Sequence, residues 1–362
     1  MWMESVRTEY LSTQGRRIIA VSDIHANLPF FKGLLDKVGF CENDLLIIDG
    51  DFCEKGEQSL DTLRYIMALS KKGNCRAVCG NCDGWSDAVD EDSSFWTFKL
   101  VDYMLFRKSG LIWDMLCEMG IPVTEGLDFA PLVPILREKY KAEFDFIRSL
   151  PHIIETESFT FVHGGYKPDV PRSEQRGGEC MKFDNFLGTD YTFDKWVVVG
   201  HWPVVLYHEN IVCANPIIDR ERKIISIDGG CVLKDDGQLN ALIIENGGDI
   251  SFVAYDEFPV MRVKTAQEGG KRSYYIRWGD NKVQVLSRGE EFSLCRHVRT
   301  GYEMEILTKY LYSDGELTEC NDSTDYVLPL KPGDEVSVIE KTSRGYLVKH
   351  KGTSGWYYGE LE

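Results

Sequence analysis

Asp23-Ile24-His25, Gly50-Asp51, Gly80-Asn81, His163-Gly164 and Gly200-His201 each follow a short hydrophobic run. Together they offer two Asp, one Asn and three His, oxygen and nitrogen donors suited to two divalent metal ions side by side. A metal pair of that kind turns water into a nucleophile and clamps the oxygens of a phosphate ester during in-line displacement. Asp23 and His25 stand two apart at a strand tip and can reach one ion with the help of Asp51. The second oxygen of Asp51 can bridge to another ion held by Asn81, His163 and His201. Such a bridge sets the ions about 3.5–4 Å apart, close enough to share a hydroxide. The set contains no thiolate and suits Mn, Fe or Zn better than a calcium cage. Taken singly, a strand-end Asp is usually a turn former and a His a structural residue. Six such residues in this context point instead to a metal site, whereas His152, His208, His297 and His350 read as structural or exposed.

The elements that must position these donors are legible nearby. Apolar runs at 17–21, 45–48 and 76–79 read as buried strands, with helical stretches near 29–38 and 58–71 between them. Strand, polar tip, helix, strand is the βαβ pattern, in which ligands gather at the carboxyl ends of the strands. A largely helical insertion at about 92–150 is expected to cap one rim of the site. Strands resume at 159–162 and 196–199, each ending in a histidine cluster. Runs at 211–213, 224–227, 241–244 and 251–254 read as a second, largely antiparallel sheet, closing a catalytic domain over 1–258.

The chain has 362 residues, 43% of them hydrophobic and 27% charged, an ordinary soluble composition with room for more than one domain. A formal charge of −17 argues against a duplex nucleic acid partner, since few cations would displace phosphate counterions. It leaves room for a small phosphorylated substrate beside bound metals. No run reaches the length of a membrane span and no secretion signal opens the chain, so a cytoplasmic protein without a membrane partner is expected. The eleven cysteines then read as reduced thiols, including the Cys79-x-x-Cys82 pair.

Beyond residue 258 a linker is expected over 259–280, followed by small β units at 281–319 and 325–362. Residues 286–318 laid on 330–362 give nine identities in 33 positions, with glycines aligned. The second copy, with Gly333-Asp334-Glu335-Val336-Ser337, Gly345-Tyr346 and Gly355-Trp356-Tyr357-Tyr358, resembles a bacterial SH3-like barrel. Its aromatics could bind a peptide partner or simply fill a small core.

In order, Ser22-Asp23-Ile24-His25, Gly50-Asp51-Phe52-Cys53-Glu54-Lys55-Gly56, Gly80-Asn81-Cys82-Asp83, Phe161-Val162-His163-Gly164-Gly165 and Val199-Gly200-His201-Trp202-Pro203 resemble the five motifs of the calcineurin-like metallophosphoesterases. The likeness is nearest to bacterial relatives of the serine/threonine phosphoprotein phosphatases. It implies an α/β class, four-layer α/β/β/α sandwich with a helical cap. Metal ligands would be Asp23, His25, Asp51, Asn81, His163 and His201, and a metal-bridging hydroxide would attack phosphorus.

The pattern is broken in three places. In the protein phosphatases a His that follows the motif Asn protonates the leaving group; here that place is Cys82. Its usual Asp partner is replaced by Glu54, and the Arg that forks onto phosphate by Lys55, which keeps the charge but loses bidentate geometry. A positioned acid is worth about 10²–10⁴-fold. The expectation is a phosphomonoesterase for phosphorylated proteins, peptides or small esters that favours good leaving groups, unless Asp83 supplies the proton. Catalytic candidates are Asn81, Lys55, Asp83 and Cys82, with Arg172, Arg176 and Lys182 as loop cations of the histidine region. The Gly-His-Trp spelling also resembles symmetrical diadenosine tetraphosphate hydrolases, and Gly-Asn-Cys-Asp the small bacterial phosphodiesterases. A metal-bound scaffold acting through its tail is the reading from another class.

Overall fold

The computed structural model describes residues 2–84, 89 and 94–362, without the side chains of 94–98. The chain divides into two compact units. One comprises Met1–Pro203, Pro216–Leu233 and Gln238–Tyr255; the other comprises Val204–Asn215, Lys234–Gly237 and Asp256–Glu362.

In the first unit, strands β1 (Thr8–Tyr10), β2 (Ile18–Val21), β3 (Leu45–Asp49) and β4 (Cys75–Val78) open the fold. β2, β3 and β4 are parallel, connected through helices α1 (Leu28–Val38) and α2 (Ser59–Lys71). Helix α1 starts where the Asn27 side chain accepts the Phe30 N–H and Pro29 presets the first turn. It stops at Gly39, whose φ of 64° suits a residue without Cβ. Its buried residues Leu28, Phe31, Leu34, Leu35 and Val38 follow the 3.6-residue period and cover one face of the sheet.

The insertion forms α3 (Ser94–Arg107), α4 (Leu111–Glu118), α5 (Leu132–Lys139) and α6 (Lys141–Ser149); its expected start at 92–93 lies outside the described residues. Met104, Met115, Leu136, Phe144 and Ile147 join the same core as Phe31 and Leu63, and Arg64 of α2 pairs with Glu118 and Glu143.

Next come β5 (Ile153–Glu155), β6 (Phe159–Phe161), the short helix α7 (Gly177–Met181) and β7 (Trp196–Val199). After β8 (Val212–Cys213), which belongs to the other unit, follow β9 (Ile217–Asp219), β10 (Ile224–Ser226), β11 (Leu239–Ile244) and β12 (Ile250–Tyr255). The runs expected to make one second sheet are in fact divided. β10 pairs in parallel with β7 in the sheet β1-β5-β6-β7-β10-β9, whereas β11 pairs antiparallel with β2 in the sheet β12-β11-β2-β3-β4. The six-residue β11 is buried along its whole length, which suits an interior position better than an edge.

Along β2 and β3 the strand alternation separates two cores. Ile19, Val21, Leu46 and Ile48 face the helices; Ile18, Ala20, Leu45 and Ile47 meet Ile154, Phe161, Val198 and Ile225 of the other sheet. Helices, a five-stranded sheet and a six-stranded sheet thus stack as packed layers of a mixed α/β fold.

The second unit is built on β. Its strands are β13 (Val260–Arg262), β14 (Tyr275–Ile276), β15 (Lys282–Ser287), β16 (Phe292–His297), β17 (Glu303–Leu307), β18 (Leu317–Glu319), β19 (Ser323–Thr324), β20 (Glu335–Lys341), β21 (Tyr346–His350) and β22 (Thr353–Tyr357). The sheets run β13-β20-β21-β22-β8 and β17-β16-β15-β18, with a β14-β19 pair. Residues 259–280, expected as a linker, therefore carry two strands, because β13 and β14 find antiparallel partners in β20 and β19. The internal repeat aligns β16 with β20 and β17 with β21, while the counterpart of β22 is a 3-10 turn at Thr308–Tyr310. Tyr357 is fully buried and the Trp356 indole N–H donates to the Thr324 carbonyl at 2.7 Å, so these rings fill the core; Tyr358 is exposed.

All eleven cysteines are free thiols. No described helix is long and apolar enough to cross a membrane. Ile47 is sealed between the sheets, so Ile47→Ala should cost about 2–5 kcal/mol, read as a lower urea midpoint at unchanged slope.

Candidate metal centre

Each donor expected from sequence lies just beyond the carboxyl end of a strand: Asp23 and His25 after β2, Asp51 after β3, Asn81 after β4, His163 after β6 and His201 after β7. Asp23, His25, Asp51 and His201 all have left-handed backbones, with φ of 53°, 48°, 51° and 65°. For residues with a Cβ that conformation costs on the order of 1 kcal/mol each, and it turns the side chain sharply out of the strand direction. Cross-loop hydrogen bonds hold it: Asp23 N–H to the Gly50 carbonyl (3.1 Å), His25 N–H to Asp51 (2.9 Å) and Gly56 N–H back to His25 (3.0 Å). Gly80 lets the loops touch, since a Cβ there would lie 2.2 Å from the Asp51 amide nitrogen and Oδ1.

The side chains converge in two groups that share Asp51. Donor atoms of His25, Asp51 and Cys82 lie within 4.8 Å of one another, as do those of Asp51, His163 and His201. His163 Nε2 is 3.3 Å from Asp51 Oδ1, and His25 Nε2 is 3.7 Å from Asp23 Oδ1. The other Asp23 oxygen accepts the His201 backbone N–H at 3.0 Å.

The donor atoms themselves are buried and short of partners. Asp23 Oδ1, both ring nitrogens of His25, Asn81 Oδ1 and His163 Nε2 make no hydrogen bond among the described residues. Buried polar atoms left in this way are costly unless a cation or another group satisfies them. The electrostatics agree. Burial, and then the charge of Asp228, drives the Asp23 carboxyl well above its ordinary range. Burial brings His25 down to about 4. Against its own burial, His163 is raised well above its ordinary range by Asp51 and Asp23, and His163 in turn lowers Asp51 despite that residue's burial. Divalent cations would supply the same positive charge, so the donor set fits a metal pair.

Several residues around the donors carry no signal in the motifs. The His163 Nδ1–H donates to the Asp49 carbonyl at 2.7 Å, which turns Nε2 toward Asp51. Asp49's own carboxyl, fully buried with both oxygens unpaired among the described residues, is pushed up to about 8 by that burial, with His163 opposing. Asp184 accepts from His201 Nε2 at 2.8 Å, a carboxylate–histidine pairing supplied by a loop that sequence gives no reason to single out. Asp228 follows β10 as a strand-end carboxylate, the same signal that marks Asp23 and Asp51, and was missed only because it lies outside the five clusters.

Two expectations change. Asp83 is poorly placed as a proton source, because its carboxylate accepts four backbone N–H bonds, from Asp51 (2.9 Å), Phe52 (3.1 Å), Cys53 (3.0 Å) and Gly80 (2.9 Å). It ties two metal-side loops together. The Cys82 thiol also stands in the first group, where the motifs promise only nitrogen and oxygen donors. Glu54 is buried, accepting from the Tyr103 hydroxyl (3.1 Å) and the Leu111 N–H (2.8 Å); burial pushes its carboxyl up to about 7. Lys55 is half-buried, and its carbonyl accepts from Arg107 at 2.7 Å. Of the loop cations, Arg172 is engaged with Glu155 at 2.7 Å and stacks over Tyr166, while Arg176 and Lys182 are exposed.

A family model described as calcineurin-like phosphoesterase matches residues 16–250. The chain belongs to that family, whose chemistry is phosphoric ester hydrolysis. Among curated proteins, it is 43% identical over 65 residues to a symmetrical bis(5'-nucleosyl)-tetraphosphatase of Erwinia tasmaniensis, covering 17% of this chain and 23% of that protein. The match thus spans about a quarter of that relative's length. Among solved structures, a candidate diadenosine tetraphosphatase is 21% identical over 70% of this chain and 99% of its own, with a TM-score of 0.47. A cold-active protein-tyrosine phosphatase of a Shewanella species is 13% identical over 69% of this chain and 83% of its own, with a TM-score of 0.43.

Removing the Asp83 carboxylate leaves buried N–H groups unpaired. Asp83→Ala should lower the unfolding free energy by about 3 kcal/mol, and Asp83→Asn by less, in urea titrations of the metal-free protein.

Proposed function

We propose that the protein is a dimetal phosphoric ester hydrolase, most simply a phosphomonoesterase of the protein-phosphatase kind that prefers good leaving groups. The observation that carries this reading is the sharing of Asp51 by two groups of buried donors, several without partners. In it, Asp23, His25 and Asp51 hold one ion, and Asp51, Asn81, His163 and His201 hold the other. The family membership supports the ester chemistry, and Mn, Fe or Zn suits the donors. When bound, such ions supply Lewis acidity and an activated water.

The chain's own residues do the rest. In this reading Lys55 and the Asn81 amide bind the oxygens of the transferring phosphoryl group, where charge accumulates. Asp184 and the Asp49 carbonyl orient the two imidazoles. No imidazole stands at Cys82 to hand a proton to the departing oxygen, and the Asp83 carboxylate is occupied by backbone donors. An alkyl alkoxide then leaves slowly, whereas an aryl oxide or a phosphate leaves unaided. The last case supports a second reading, nucleoside polyphosphate hydrolysis, which the 65-residue likeness to a bis(5'-nucleosyl)-tetraphosphatase also favours. A four-layer core and SH3-like tail units remain part of the same proposal.

With Mn²⁺ present, log kcat/KM across aryl and alkyl phosphates should fall steeply as leaving-group pKa rises. A shallow slope would mean that protonation is intact and would remove the leaving-group claim. Phosphoserine peptide, phosphotyrosine peptide and dinucleoside polyphosphate turnover in the same assay separates the two readings. Asp184→Ala should weaken metal uptake about 10–100-fold in competition with a chromogenic chelator, leaving the unfolding midpoint of the metal-free protein nearly unchanged because Asp184 is half-exposed.

A further inference from the structure

Cys82 is a buried thiol placed beside the metal donors. Cys53, Cys75 and Cys79 belong to the main apolar core of the first unit; Cys82 is buried too but is not among the described residues of that cluster. Polar groups stand beside it. Its sulfur lies within 4.8 Å of a His25 ring nitrogen and an Asp51 carboxylate oxygen, and those two lie equally near each other. Its backbone N–H donates to Asp51 Oδ1 at 2.7 Å, which fixes thiol and carboxylate in one frame.

We infer that Cys82 is a ligand of the ion held by His25 and Asp51, giving that side of the centre nitrogen, oxygen and sulfur donors. The inference rests on the dimetal reading above and deepens it. Bonds to a zinc-like ion run about 2.0–2.1 Å from imidazole, 2.0–2.2 Å from carboxylate and 2.3 Å from thiolate, so donors up to about 4.5 Å apart can share one ion. The three atoms lie within 4.8 Å of one another, so a shift of a few tenths of an ångström at most brings them onto one ion. His25 adds an independent sign, because neither of its ring nitrogens has a hydrogen-bond partner among the described residues though the side chain is buried. One nitrogen facing Asp51 and a thiol is what a cation would complete.

Asn81 completes the arrangement. Its amide nitrogen donates to Cys82 Sγ at 3.3 Å, placing a hydrogen-bond donor on the sulfur as outer donors do on metal thiolates. The same contact leaves Asn81 Oδ1 unpaired for the neighbouring ion. On ligation the S–H bond breaks, its proton passes to solvent and the sulfur lone pair forms the S–metal bond. A thiolate donor shifts this side of the centre toward Zn, Fe or Co and away from Mn and Mg, which prefer oxygen.

The test is cobalt(II) loading of the metal-free full-length protein without oxygen, with bound cobalt counted by elemental analysis. The expected result is a sulfur-to-cobalt charge-transfer band in the near ultraviolet that disappears in Cys82→Ser, together with at least about a tenfold loss of zinc affinity in the variant. Cobalt bound without the band, or a band that survives in Cys82→Ser, overturns the thiolate assignment and leaves the dimetal reading standing. No cobalt bound at all overturns both. If Cys82→Ser does not fold, as judged by circular dichroism, ¹¹³Cd NMR of the wild-type protein decides: a resonance shifted downfield by a sulfur donor upholds the assignment, and only oxygen- and nitrogen-type shifts overturn it.

Discussion

Asp51 is a carboxylate that the fold has removed from water and surrounded by groups it cannot satisfy alone. His163 approaches one of its oxygens at 3.3 Å, the Cys82 N–H donates to the same oxygen at 2.7 Å, and donors of two separate clusters stand within 4.8 Å of it. Taking one carboxylate into a protein interior costs several kcal/mol even after relaxation. Asp23, Asp49 and Asp228 are buried in the same neighbourhood, and each adds to that cost. A protein that concentrates negative charge in this way needs compensating cations at the same place. In the isolated chain the shifts run the way charge balance requires: burial and Asp228 raise Asp23, while Asp51 and Asp23 raise His163 against its own burial.

The rest of the first unit follows from the need to bring those residues together. Parallel strands end side by side, so loops after β2, β3 and β4 meet at one rim, and those after β6 and β7 meet at the facing rim of the second sheet. The core between the sheets, built from Ile47, Leu45, Phe161 and Val198, fixes the separation of the two rims. Left-handed residues at four donor positions then redirect the side chains inward, and this strain is distributed over cross-loop hydrogen bonds rather than relieved. Asp83 is central to that economy. One buried carboxylate organises the amides of Asp51, Phe52, Cys53 and Gly80, so the β3 and β4 loops move as a single piece.

Much of this was legible in the residues. The strands β2, β3 and β4 and the helices α1 and α2 stood within a residue or two of their expected limits, because buried parallel strands read as unbroken apolar runs and amphipathic helices as a 3.6-residue period. Pairing partners were not legible. Leu239–Ile244 and Ile224–Ser226 are both short apolar strands, and nothing local says that one joins β2 and the other β7. The donors near Asp51 were recognisable because each is a polar residue at the end of an apolar run. Asp184 was hidden because it sits in an irregular loop and meets His201 only through tertiary folding. The role of Asp83 was misread for a related reason: a carboxylate beside a metal motif suggests acid chemistry, and only the position of four amide hydrogens shows that its lone pairs are spent on the backbone.

The exchange of an imidazole for a thiol at position 82 then has two consequences from one cause. It takes away the group that would protonate a departing alkoxide, and it places a softer, more electron-rich donor beside His25 and Asp51. A thiolate gives more charge to a cation than a neutral imidazole does, so the ion it holds is a weaker Lewis acid. Both effects push in the same direction. Under the proposed reading, a centre with less Lewis acidity and no proton donor would stabilise a leaving oxygen poorly and would work best on esters or anhydrides whose leaving group is stable as an anion. A phosphate-binding role for Lys55, as proposed, would fit that bias, since a single ammonium lacks the forked grip of a guanidinium. If both proposals hold, substrate preference and metal preference are linked through the same side chain, and a residue that restores the acid would also remove the sulfur.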